Sequence, residues 1–306
     1  MRKLAHIINP FKASKSSDLF TAQPITFASM RAAQEHASAY VDVELLSAQF
    51  EEDLDVVPEG FKATRNLDRS VLDMEGFEKK IKLPILADIL QRLHDESDAE
   101  YLIYTNVDIG LYPDFYRFVN RTIDQGHDAF IINRRRLPET YVSVDDLPAI
   151  YQDKGKKHPG FDCFVFHRNL FPKFHLEGIC IGVPFIEITF SQNLFALAKN
   201  FKLFEDEFLT FHIGLEIIKG RAPREYFRYN QAQFWAAVNS PLREDMALKK
   251  LPYSHLLLPF RLIKWGLQPC FPIRLVLLLE MERLTGYFTG RKKADSSSDS
   301  SSTSSS

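Results

Sequence analysis

Short apolar runs alternate with amphipathic stretches along the first two-thirds of the chain. LAHIINPF at 4–11 predicts a first strand closed by Asn-Pro. ITFASMRAAQEHASAY at 25–40 is Ala-rich, with Phe27, Met30, Ala33 and Ala37 at helical spacing, and predicts a helix. VDVELLSAQF at 41–50 alternates and predicts a second strand. A helix follows at 83–97, with Pro84 in its first turn, where a missing N–H costs little. EYLIYTNVD at 100–108 predicts a third strand, and PDFYRFVNRTIDQG at 113–126 a helix running to Gly126. DAFIINRRR at 128–136 predicts a fourth strand, 137–160 a polar loop, and FDCFVFH at 161–167 a short buried strand. A helix at 184–200 and a further strand within 201–214 complete the pattern.

Strands that alternate with helices predict an α/β fold: a single mixed, mostly parallel sheet flanked by helices. Such sheets bind ligands outside the carboxyl ends of their strands. The continuous apolar run inside 100–105 marks a central strand, which puts 105–108 at such an end. Beyond 230 the pattern changes. Residues 254–288 are very apolar, interrupted by Arg261, Lys264, Pro269, Pro272 and Arg274, and predict two short helices about a proline turn. They form either an appendage packed on the main domain or an in-plane membrane-surface element. The expected organisation is a domain over 1–218, a basic, apolar helical extension over 219–293, and a disordered Ser-rich tail over 294–306.

Composition changes this picture in three ways. At 306 residues, 45% hydrophobic and 25% charged, the chain has material for a sizeable core. Three cysteines without a CxxC pair give neither a disulfide framework nor a zinc signature, so a reduced, cytoplasmic setting is the default, either free or peripheral at the inner membrane face. No apolar stretch is long enough to predict a transmembrane helix. The net charge of −2 hides a split: 219–293 hold 14 Lys/Arg against 5 Asp/Glu, which points to a basic partner surface. That segment matches none of the common nucleic-acid readers, so no nucleic-acid partner is expected. GxGxxG, GxxxxGK[ST] and GxSxG are all absent.

The candidate chemistry begins at TNVD, 105–108. By residue type, Asn106 and Asp108 are either turn formers and helix caps or a site. A strand, a short acidic turn and then a helix resembles the metal-binding DxD region of GT-A fold glycosyltransferases, which use nucleotide-diphosphate sugars. The resemblance covers about 1–215 in element order, and Asn106 stands where that family has its first aspartate. It implies a nucleotide-sugar donor, a glycan or glycolipid acceptor, and Mn²⁺ or Mg²⁺ on Asp108 to offset pyrophosphate charge. It also implies a late histidine against the metal, here His212, which is otherwise a satisfied core residue. An acidic general base at a helix start becomes Glu187, otherwise a first-turn Glu complementing the helix dipole, with Glu177 as an alternative. Asn9 at the end of the first strand would meet the nucleotide, with Asn106 assisting the nucleotide and sugar. Asp162 would line the sugar pocket or else pair with backbone amides or a cation. Arg69, and Arg134 to Arg136, carry guanidinium groups suited to phosphate. Two other readings stand beside this one. A nucleotidyltransferase would share the fold, although NPFKASKSSD after the first strand has lysines and no glycine. A non-catalytic GT-A-like binding module would account for the missing first aspartate.

Overall fold

One sheet organises the molecule, seen here in a computed structural model that describes residues 1–74, 76–213, 223–268 and 271–298, with side chains to 285. Its strands are β1 (Lys3–Ile8), β2 (Asp42–Ser47), β3 (Lys62–Ala63), β4 (Tyr101–Thr105), β5 (Ile109–Leu111), β6 (Ala129–Leu137), β7 (Lys156–His167), β8 (Phe201–Phe204) and β9 (Thr210–Ile213). They lie in the order β3-β2-β1-β4-β7-β6-β9-β5, with β8 also paired to β6. β1 pairs in parallel with β2 and β4, β2 with β3, and β6 with β8 and β9. β7 runs antiparallel between β4 and β6, and β5 is antiparallel to β9. The sheet is therefore mixed and mostly parallel, and β4 is central, as its apolar run predicts.

Helices cover both faces. α1 (Asp18–Ala37) places Met30, Ala33 and Ala37 in the same core as Phe115, Tyr116 and Val119 of α3 (Phe115–Asp124) and Cys163 and Val165 of β7. The alternate β7 residues face the other way, where α5 (Ile186–Leu197) stacks Phe190 on Phe164 with ring centroids 4.4 Å apart. Such a pair contributes about 0.5–1.5 kcal/mol beyond its buried area. α2 (Leu86–Glu96) packs on β1 and β4. His6 of β1 is fully buried, with Nδ1 2.9 Å from the Tyr116 hydroxyl and Nε2 2.9 Å from Thr105 Oγ1. Burial pushes its pKa down to about 3, so it is a neutral tie among β1, β4 and α3.

Several boundaries differ from the sequence pattern for local reasons. α1 begins at Asp18 because the Ser17 hydroxyl caps the Leu19 N–H. Pro24 lies inside it on the exposed face, where the carbonyl it leaves unbonded can meet water. The loop expected at 137–160 contains α4 (Leu147–Ile150), and β7 starts at Lys156 rather than 161. Pro159 falls where the β6–β7 register shifts, between the pairs Asn133–Phe161 and Arg135–Lys157, so its missing donor costs no ladder bond. β5 is a strand that the pattern did not separate from the turn after β4.

The chain forms two compact units, Met1–Met246 and Ala247–Ser306. The first unit ends with α6 (Arg224–Asn239), which packs on α5, and α7 (Leu242–Asp245). The second holds α8 (Leu258–Leu267) and α9 (Ile273–Ser298). The two expected helices are there, but α9 has 26 residues and is not short. Its range runs to Ser298, into the segment expected to be a Ser-rich tail. Residues 299–306 of that tail and Pro269 lie outside the described residues. No helix among the described residues is long and apolar enough to cross a membrane.

Candidate active site

The turn after β4 carries Asn106 and Asp108 to the carboxyl end of a central strand. Chain geometry then brings β9 beside them: Ile109 of β5 pairs with His212 of β9. This register sets His212 Nε2 3.0 Å from Asp108 Oδ2. An ionised carboxylate only accepts, so Nε2 carries the proton and donates it. The other ring nitrogen, Nδ1, is buried with no hydrogen-bond partner among the described residues. Burial works against the Asp108 carboxylate, but the His212 hydrogen bond, with His212 and Arg134 charge nearby, outweighs it and holds the pKa below the ordinary value. A fifth of the Asp108 side chain remains open to solvent. Gly110 keeps the two strands close: a Cβ there would fall within the Phe211 ring.

β7 is antiparallel to β4, so its early residues flank the same end; Thr105 pairs with Cys163. Asp162, almost fully buried, forms an ion pair with Arg134 from the end of β6. Its second oxygen, Oδ2, has no partner among the described residues. The third carboxyl comes from the first turn of α5. Glu187 has its pKa pushed up to about 7, by burial first, then by Asp162, with Asp108 adding a smaller push and Arg134 opposing it. Tyr104 joins them, donating its hydroxyl to Asn106 Oδ1 at 2.9 Å. Burial, Glu187 and Asp108 all raise its pKa, so it remains a neutral donor.

α6 fixes the approach to Glu187. Asn230, fully buried, donates to the carbonyls of Cys180 (2.9 Å) and Pro184 (3.1 Å) and accepts from the Cys180 N–H (3.0 Å). Gln233 accepts from the Gly178 N–H at 3.0 Å, and the Tyr229 hydroxyl fills the space a Cβ on Gly178 would need. Phe185, directly before α5, takes a left-handed φ of 90° and holds its ring against Phe227 and Phe234. A bulky residue adopts that conformation only when its surroundings impose it.

Asp108, His212, Glu187, Asp162, Asn106 and Arg134 therefore come together, and Asn9 ends β1 at the same side of the sheet, since Ile7 pairs with Tyr104 of β4. Arg69 makes two 2.7 Å hydrogen bonds to Asp88 of α2. Asn9 is buried and donates to the Ala48 carbonyl, tying the ends of β1 and β2. Glu177 is exposed and contributes no charge effect to Glu187. Arg135 is held by Asp206 and the carbonyls of Lys154 and Gly155. Tyr104 and Asn230 were missed. Tyr104 had a signal, since it lies two residues before Asn106 on the same strand face, whereas Asn230 depends on a contact across 50 residues. Among the described residues, no group of three or more His, Cys, Asp or Glu converges to hold a metal ion. As a pair, Asp108 and His212 set a carboxylate beside an imidazole, two donors that would hold a divalent cation with substrate oxygens completing the shell.

No family model and no curated protein matches the chain. Solved structures do. One is S. aureus TarS 1–349 in complex with UDP-GlcNAc, with TM-score 0.49 and 11% identity over 78% of this chain and 67% of that one. Another is glucosyl-3-phosphoglycerate synthase from Mycobacterium tuberculosis in complex with UDP, at 0.45 and 12% over 78% and 80%. The same enzyme in complex with phosphoglyceric acid gives 0.44 and 11% over 78% and 80%.

Proposed function

We infer that the chain is a glycosyltransferase that moves a sugar from a nucleotide-diphosphate donor to a hydroxyl of a glycan or glycolipid. The observation that supports it is the convergence of Asp108, His212, Glu187 and the Asp162–Arg134 pair at the carboxyl end of β4. These come from five segments of the chain and have separated proton affinities, with Asp108 held ionised and Glu187 poised near neutrality. The GT-A resemblance of the TNVD turn supplies the substrate class.

In this reading Asn106 and Tyr104 meet the donor's polar atoms, and Arg134 holds Asp162 against the sugar hydroxyls, where the free Oδ2 can accept. A divalent cation would be held by Asp108 and His212, replacing the proton they share, and would offset pyrophosphate charge. Glu187 takes the acceptor hydroxyl proton as that oxygen bonds the anomeric carbon. The bond from that carbon to the diphosphate oxygen breaks, and the nucleoside diphosphate leaves with the electron pair. This is an inverting displacement.

The test is turnover with UDP-, GDP- and CMP-sugars, with Mn²⁺ or with a chelator. Asp108→Ala is expected to lower turnover by about a hundredfold or more while the far-ultraviolet circular dichroism is unchanged. Undiminished turnover in that variant would remove Asp108 from the site. Pyrophosphate release from an NTP and a sugar phosphate would instead identify a nucleotidyltransferase.

A further inference from the structure

The second unit exposes an amount of apolar surface that water does not favour. In α8, Phe260, Ile263 and Leu267 lie on one face, and in α9, Ile273, Leu277 and Met281 recur every four residues on another. Leu267 is 76% exposed, Met281 62% and Phe260 60%. The opposite faces are filled: Trp265, Phe271, Leu275, Val276 and Leu279 are buried. The Trp265 Nε1–H donates to the Pro252 carbonyl at 2.8 Å. Arg261 of α8 donates from Nε to Glu280 of α9 at 2.7 Å, and Arg283 reaches the same carboxylate at 3.0 Å. The Arg261–Glu280 pair ties the two helices to each other, and the exposed apolar side chains of both remain uncovered by the described residues. Patches of this kind mark an interaction site rather than a soluble surface.

Charge distinguishes among partners. Residues 247–293 hold nine Lys/Arg and two Glu, a net of +7. Lys249 and Lys264 are exposed, and Lys264 follows Ile263 directly. A second copy of the chain would bring this basic surface against itself across a two-fold axis, where like charges oppose association. An anionic lipid surface complements both features, taking Phe, Ile, Leu and Met side chains at the acyl boundary and lysines at the headgroups. We propose that α8 and α9 form an in-plane docking surface for an anionic bilayer. The proposal is independent of the donor chemistry at Asp108. It would hold the enzyme where a lipid-linked acceptor is presented.

Sedimentation of the full chain with phosphatidylcholine–phosphatidylglycerol vesicles tests it. The chain is expected to sediment with these vesicles at low salt and far less with phosphatidylcholine alone. Phe260→Ser/Ile263→Ser/Met281→Ser is expected to weaken vesicle partitioning at least about tenfold. Lys249→Glu/Lys264→Glu should weaken it about fivefold per lysine on anionic vesicles and leave phosphatidylcholine unaffected. All five positions are exposed, and the charge variant keeps the test valid if the apolar one does not fold. Partitioning unchanged in both variants overturns the proposal. So does a wild-type chain that stays off vesicles and self-associates through this face. The readout involves no nucleotide sugar, so its failure is distinct from failure of the transferase reading.

Discussion

Glu187 concentrates the chemistry of the site in one titration. Its pKa rises from an ordinary 4.5 to about 7, chiefly through burial and then through Asp162. The folded chain therefore keeps a proton that the unfolded chain releases between those values. The unfolded state binds fewer protons in this window, so stability falls as pH rises through it. Melting temperature measured against pH should decline from about 4.5 to 7, and Glu187→Gln should flatten that slope. Turnover should follow the opposite course, rising as the carboxylate forms near pH 7, with Glu187→Gln lowering it by about 10²–10⁴-fold. A wild-type rate that stays level across this range would exclude Glu187 as the base. Asp108 behaves in the reverse sense, because its His212 hydrogen bond keeps it ionised well below that pH.

At the scale of elements, the site depends on how α6 holds the start of α5. Ile179 and Ile181 bond the chain around Ile85, and Asn230 takes up the groups that this bridge leaves, bonding both the N–H and the carbonyl of Cys180 and the carbonyl of Pro184. Asn230→Ala leaves these groups buried and unpaired. It is expected to cost about 2–3 kcal/mol in urea unfolding and to depress kcat more than donor affinity, since Asp108 and His212 stand on other elements. Equal losses in kcat and donor affinity would show that α6 supports the fold without orienting Glu187. The β5–β9 pair is the corresponding device for Asp108. Its two strands are three and four residues long, and Gly110 lets the Phe211 ring close over them.

For the whole molecule, charge and ligand binding are the quantities that act together. Residues 247–306 carry nine Lys/Arg and four Asp/Glu, a net of +5, which leaves −7 for residues 1–246 of a chain whose total is −2. A nucleotide-sugar donor would bring further negative charge to an acidic unit, which a bound divalent cation would offset. A donor that binds only the folded state at about a hundred times its Kd adds about 2.7 kcal/mol of stability. The melting temperature should therefore rise with the correct nucleotide sugar and lose most of that rise in Asp108→Ala. No shift with any nucleotide sugar, with or without Mn²⁺, would favour a fold that has lost its donor.

The element order, the central place of β4 and the position of TNVD at its carboxyl end were legible in the sequence, because strand and helix periodicities and the apolar run of 101–105 are local properties. Asp108, His212, Asp162 and Glu187 could be singled out there as acids or a histidine at element ends. Their partners could not. Asp108 and His212 are 104 residues apart, and only the β5–β9 register joins them. Arg134 was one of three consecutive arginines until the β6–β7 bulge turned it toward Asp162 and left Arg135 to Asp206. Arg69 looked suited to phosphate, and only the fold sets it against Asp88. Sequence by itself determined which groups carry charge and which segments become strands. Tertiary structure alone decided which charges are buried beside one another, because proton affinity depends on desolvation and on distances between chain segments.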